Sequence, residues 1–247
     1  MFHVKHFQKN ISAQVRKDVK RMPIYNAPLL AIDAKETRRY AGLMKAENFD
    51  ESKIEEACQD ARLLASPKGI WEVYDYDCEN QEVKAAPTCI LKGIKIGAHL
   101  AGCEKVIALA ATVGETIEET VTQRFEEGQY ASSVLLDAAA TAAVEQVADA
   151  MEKAIRPKAA AKGYGMRWRF SPGYGDWPIE QQPELIRLTG AANIGIQLSS
   201  SMMLIPRKSI TAIIGLYKED KSKPEAAVTH KKGCAACPKT DCPSRNV

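Results

Sequence analysis

From Ala131 to Ile155 the chain is dominated by alanine. Alanine is the strongest helix former and presents the smallest apolar side chain, so this stretch predicts a long helix able to pack closely against a sheet or another helix. Pro157 and Gly163 are expected to close it. Upstream, Glu104 to Thr112 is a continuous apolar run around Val106, Ile107 and Leu109. It is short and β-branched at its start, which predicts a buried central strand. Gly114 follows, then a helix over 115–127 with Ile117, Val121 and Phe125 on one face, ended by Gly128.

The remaining elements follow from caps and periodicity. Asp33, with Glu36 three residues on, predicts a capped helix over 34–46. Asp50 or Ser52 caps a second helix whose apolar positions Ile54, Ala57, Cys58, Ala61, Leu64 and Ala65 recur at helical spacing, with Pro67 as its stop. Strands are predicted over 69–76 and 83–91, a short helix over 94–101, a strand over 166–170 and a helix over 178–189 ended by Gly190. Two further strands, 194–205 and 208–217, are expected to meet at Pro206-Arg207. This order is not a regular βαβ alternation. It predicts an α+β fold, a twisted, mostly antiparallel sheet with helices packed on it.

The balance of charge excludes some functions. A formal net charge of +3 in 247 residues gives no argument for nucleic-acid or membrane-surface binding. The basic first twenty residues contain no apolar core of the length a signal peptide needs. No stretch approaches the ~18 apolar residues of a membrane helix, so a cytoplasmic location is expected. A phosphate-binding loop, a dinucleotide fingerprint and a Gly-x-Ser-x-Gly elbow do not occur. The expected organisation is a basic N-terminal extension over 1–27, a ligand-binding domain over 28–217, and a polar linker with a cysteine-rich tail over 218–247.

Arg169-Phe-Ser-Pro-Gly-Tyr-Gly175 carries the chemistry. Arg169 can grip a carboxylate with two parallel hydrogen bonds. Pro172 fixes its own φ, Gly173 and Gly175 permit positive φ and close backbone approach, and Tyr174 offers a flat face with a polar tip. Those parts suit a small ligand with a carboxylate at one end and a flat ring at the other, of which S-adenosylmethionine is an example. The plainer alternative is a strand ending in a tight turn with Tyr174 packed as its cover.

The motif belongs to an ordered set: Thr112-Val113-Gly114, Ile117-Glu118, Gly128, Leu136-Asp137-Ala138 and Val144-Glu145 before it, Met203-Leu204-Ile205-Pro206 and Ser209-Ile210 after it. In this order and spacing, residues 28 to 217 resemble the activation (reactivation) domain of cobalamin-dependent methionine synthase, in its free-standing form. That resemblance implies a curved α+β unit that binds S-adenosylmethionine and docks on a cobalamin-carrying partner whose cobalt has become inert. A flavodoxin- or ferredoxin-like donor would supply an electron, and the ligand would then methylate the cobalt. The family's Arg-x-x-x-Gly-Tyr falls on Arg169, Gly173 and Tyr174. Arg169 is thereby implied to meet the ligand carboxylate, with Phe170 contributing backbone and Glu145 meeting the ligand ammonium. Asp33 is the candidate for an N-terminal aspartate that also binds ligand in the family. The sequence departs from the family after its final hairpin, where a tyrosine-bearing segment is replaced by the linker and cysteines. It carries no cobalamin, homocysteine or folate module, so the corrinoid partner is expected to be another chain, a truncated methionine synthase or another corrinoid methyltransferase. The alternative is a module that docks on a corrinoid protein, or binds a metal or iron–sulfur cluster, without S-adenosylmethionine.

Cys234, Cys237 and Cys242 form Cys-x2-Cys-x4-Cys, three thiols within a short run of small residues and prolines. They can converge on one metal ion. Zinc would take a fourth ligand, from His230, Cys89, Cys103 or water, and an iron–sulfur cluster also takes thiolates. Anaerobic purification followed by metal analysis is expected to find zinc or iron at a stoichiometric level, and a metal-free protein would overturn this expectation.

Overall fold

The computed structural model describes residues 23–219; the cysteine trio Cys234, Cys237 and Cys242 lies outside them. Its centre is an antiparallel sheet. Strands β1 (Lys68–Asp77), β2 (Glu82–Val83), β3 (Cys89–Ile90), β4 (Cys103–Thr112), β5 (Tyr164–Met166) and β8 (Ser209–Lys218) run in the spatial order β3-β2-β1-β4-β8-β5. β6 (Gln197–Leu198) and β7 (Leu204–Ile205) form a separate two-stranded hairpin. Helices α1 (Ala34–Tyr40), α2 (Glu51–Leu64), α4 (Thr116–Glu126) and α5 (Tyr130–Ala160) join the apolar cluster on one face. The other face is covered by α3 (Ile94–His99), α6 (Gln182–Thr189) and single 3-10 turns at Ile179–Gln181 and Ala191–Ile194. The predicted α+β class is the one observed.

β4 explains this layering. Ile107, Leu109 and Ala111 enter the core beneath α5, while Val106, Ala108 and Ala110 enter the cores on the opposite face. Both faces are buried, so the strand is apolar without alternation. α5 lies close to the sheet because its contact positions are small: Ala139, Ala140 and Ala143 are fully buried. The closeness is so tight that a Cβ at Gly69 on β1 would overlap the Met151 thioether.

Several predicted boundaries move, each for a local reason. α1 stops at Tyr40 because Gly42 turns left-handed, with φ 73°. α5 passes through Pro157 to Ala160, keeping Ala159 in the core that also takes Ile155. The single strand predicted over 83–91 is two short ones, because the chain turns back between them and pairs Glu82 with Ile90 and Val83 with Cys89 antiparallel. Residues 194–205 are not one strand. Ile194 and Ile196 are buried from a tight turn beneath α6, and the hairpin follows.

β8 is equally crowded on its lower face. A Cβ at Gly215 would lie 2.6 Å from Cys103 Sγ and 2.8 Å from Leu100 Cδ2, both buried. Gly215→Ala is expected to destabilise the fold by about 1–3 kcal/mol through overpacking, seen as a lower urea midpoint with an unchanged slope.

Candidate functional site

The site begins with a miscount along the sheet edge. Met166 pairs with Leu216, and Phe170 pairs with Ile213 through both backbone hydrogen bonds. Four steps on one strand therefore span three on its neighbour, which is a β-bulge. Its effect is visible in the cores: Met166 packs on the α5 face, whereas Phe170 packs on the opposite one. On a regular strand residues four apart share a face. The extra residue breaks that parity.

Within the bulged segment, Arg169 reaches α5. Its Nη1 donates to Asp149 Oδ1 at 2.5 Å and to Glu152 Oε1 at 2.6 Å, and its Nη2 donates to Glu145 Oε2 at 2.6 Å. The three acceptors stand at i, i+4 and i+7, one face of the helix. Glu152 is deeply buried, its side chain 7% exposed, while Asp149 is 58% exposed. Burial pulls the Arg169 pKa down, but the hydrogen bonds to Asp149, Glu152 and Glu145 outweigh it, and the net shift is upward. The guanidinium is permanently charged. Of its five N–H donors, Nε–H and one Nη2 hydrogen find no acceptor among the described residues.

Arg169 and Glu145, the two residues expected to take the ends of a zwitterion, are thus brought together as a direct ion pair. The spacing of Asp149 and Glu152 behind Glu145 was readable, but they were not among the expected site residues. α1 forms the adjoining wall. Gln146, next to Glu145, accepts from Asp33 N and donates to Ala31 O. Burial first, and the Glu145 charge second, raise the Tyr40 pKa. The Asp33 carboxylate itself caps α1, accepting from Glu36 N at 3.0 Å.

The glycine turn is built on the other side of the strand. Gly173 and Gly175 have φ of 89° and 63°, which side chains rarely tolerate. Gly173 N donates to Trp177 O at 2.8 Å, and Trp177 N to Tyr174 O at 3.0 Å. Trp177 is the turn's anchor: it is 1% exposed, and its Nε1 donates to Gln181 Oε1 at 2.6 Å. Tyr174 is not a packed cover. It is 65% exposed, with its ring edge-on to Phe170 at 6.5 Å between centroids. Phe170 is buried against Trp168, Trp177 and His99.

Among the described residues there is no group of three or more His, Cys, Asp or Glu side chains arranged to hold a metal ion. No helix among them is long and apolar enough to cross a membrane. An open groove of about 440 Å³ runs beside α4, lined by Glu118, Glu119, Thr122, Gln123, Glu126 and Arg207. It contains no residue of the motif.

No protein-family model matches the chain, and no curated protein is similar to it. A solved structure is similar: the MetH reactivation domain bound to AdoHcy, with a TM-score of 0.54 at 12% identity, over 82% of this chain and 81% of that one. The chain therefore has the fold of the MetH reactivation domain.

Asp176 ties the turn to α3 by accepting from Ile94 N at 2.8 Å and Lys95 N at 3.0 Å. These backbone bonds, that from Lys95 foremost, lower its pKa. The native state then binds fewer protons than the unfolded state near that pKa, so stability rises with pH there. Wild type is expected to melt above Asp176→Ala at neutral pH, with the gap closing as pH falls through the depressed carboxyl pKa. A gap that stays constant into acid would contradict this role.

Proposed function

We propose that this protein binds S-adenosylmethionine by its amino-acid end at Arg169, and acts as the reactivation component of a corrinoid-dependent methyltransferase whose corrinoid sits on a partner chain. The observation that carries this reading is the bulge that sends Arg169 onto α5 beside Glu145. It leaves an unfilled edge of the guanidinium, and Nε and Nη2 together are the fork that a carboxylate takes bidentately. Glu145, half-exposed on the next position, is the acceptor for an ammonium. Tyr174, exposed on the turn beyond Phe170, is a flat surface for a ring. The shared fold with a domain that carries AdoHcy supports the same ligand class.

In this reading the corrinoid supplies a strong nucleophile for the sulfonium methyl group. No general base is needed: the work of these residues is to hold and orient the ligand. Arg169 fixes the carboxylate and Glu145 the ammonium, and the turn over 171–177 sets where the rest of the ligand lies. The electron donor and the particular partner belong to the same proposal, and the fold of the neighbour supports a partner that carries cobalamin.

A second reading has one observation in its favour. Arg169 already has three carboxylate partners, as a purely structural ion-pair cluster would. The chain would then dock on a corrinoid protein without binding S-adenosylmethionine. Calorimetry with S-adenosylmethionine separates the two. Wild type is expected to bind, and Arg169→Lys, which keeps the charge but lacks the fork, is expected to lose about 2–4 kcal/mol of affinity. Absence of binding by wild type would reject the first reading.

A further inference from the structure

We infer that the acidic face of α5 makes this site selective for net charge, so that it prefers a sulfonium ligand to the neutral thioether left when the methyl group has gone. The inference rests on the proposed S-adenosylmethionine site and adds to it the residues that set its preference, Asp149 and Glu152.

One guanidinium faces three carboxylates, Glu145, Asp149 and Glu152, which leaves a surplus of two negative charges. Among the described residues no other Lys or Arg forms a salt bridge with these three; Arg39, across on α1, is paired with Glu36. The surplus is set into a partly dry place. Glu152 is 7% exposed and Arg169 21%, where screening by salt is weak. A free amino acid's carboxylate and ammonium cancel, so they do not use the surplus. A sulfonium two methylene groups from the α-carbon does. S-adenosylmethionine carries one net positive charge, and its thioether product carries none.

The geometry also separates the roles of the two added carboxylates. Both accept from the same nitrogen, Nη1, at 2.5 and 2.6 Å, on the edge of the guanidinium away from Nε. They hold Arg169 in place without occupying the fork left for the ligand. Glu152, buried, is the fixed anchor. Asp149, largely exposed, contributes mainly charge. The consequence for a methyl-transfer site is directional. When the methyl group leaves, the C–S bond's electron pair stays on sulfur and the ligand's charge falls to zero. Its attraction to α5 weakens at that moment, which favours release of the product.

The test is calorimetric titration of the full chain with S-adenosylmethionine and, separately, S-adenosylhomocysteine, at low and high salt. For wild type a preference of about tenfold for the sulfonium is expected from two surplus charges at intermediate dielectric. Asp149→Asn keeps the acceptor for Arg169 and removes one charge. It is expected to cut the preference about threefold; the readout is the ratio of the two affinities, which any loosening of Arg169, common to both ligands, leaves unmoved. Glu152→Gln is expected to cut it at least as far, with less salt dependence because of its burial. Equal affinity of wild type for both ligands would overturn this inference and leave the S-adenosylmethionine site standing. A preference unchanged in both variants would also overturn it. Binding of neither ligand would overturn the site itself.

Discussion

The close seating of α5 on the sheet is the constraint on which the rest depends. Alanines at 139, 140 and 143 and the bare backbone of Gly69 let the helix approach until side chains of β1, β4 and β8 fill the space beneath it. Small residues sacrifice apolar area per position but gain it over thirty-one residues of helix. That length matters functionally. α5 is long enough to be core along one stripe and still present Glu145, Asp149 and Glu152 along another. The same rod that organises the fold displays the acidic face that Arg169 meets. A shorter helix could serve one purpose or the other.

Much of the architecture was legible in the sequence, because its signals are local. Asp33 and Asp50 cap their helices as their side chains predict, and the apolar run at 104–112 is the doubly buried strand. What failed was also local, but subtler. Ile194 to Ile205 contains enough apolar residues for a strand, yet two glycines in the left-handed region, Gly190 and Gly195, fold its start into a turn that buries the same side chains. Composition asks only that Ile194 and Ile196 leave water; it does not say in which conformation. Pro157 was read as a terminator, although tertiary burial of Ala159 holds the last turn beyond it.

The site divides in the same way. Arg169 and the glycines stood out because their chemistry is unusual at any position. Trp177 and Gln181, which hold the turn from below through a 2.6 Å hydrogen bond, did not, because a tryptophan and a glutamine near a helix start carry no mark of their pairing. Asp149 and Glu152 were masked by ordinariness: a carboxylate on a long helix is usually a solvated one. Only the partner, arriving from 17 to 24 residues away in sequence, makes them members of a cluster. Sequence exposes the residue that is rare and hides the residues made special by company.

The bulge between Met166 and Phe170 has a consequence for how such a protein tolerates change. A strand is a two-state device in which odd and even residues look in opposite directions, and a single added residue acts as an inverter. Arg169, carried by the bulge, takes its place from that one count. Substitutions can therefore accumulate widely while the wiring survives. The loss of a single residue between 166 and 170 would leave three steps against three: the ladder would become regular, Phe170 would keep its partner Ile213 and its face, and what would vanish is the bulge that carries Arg169.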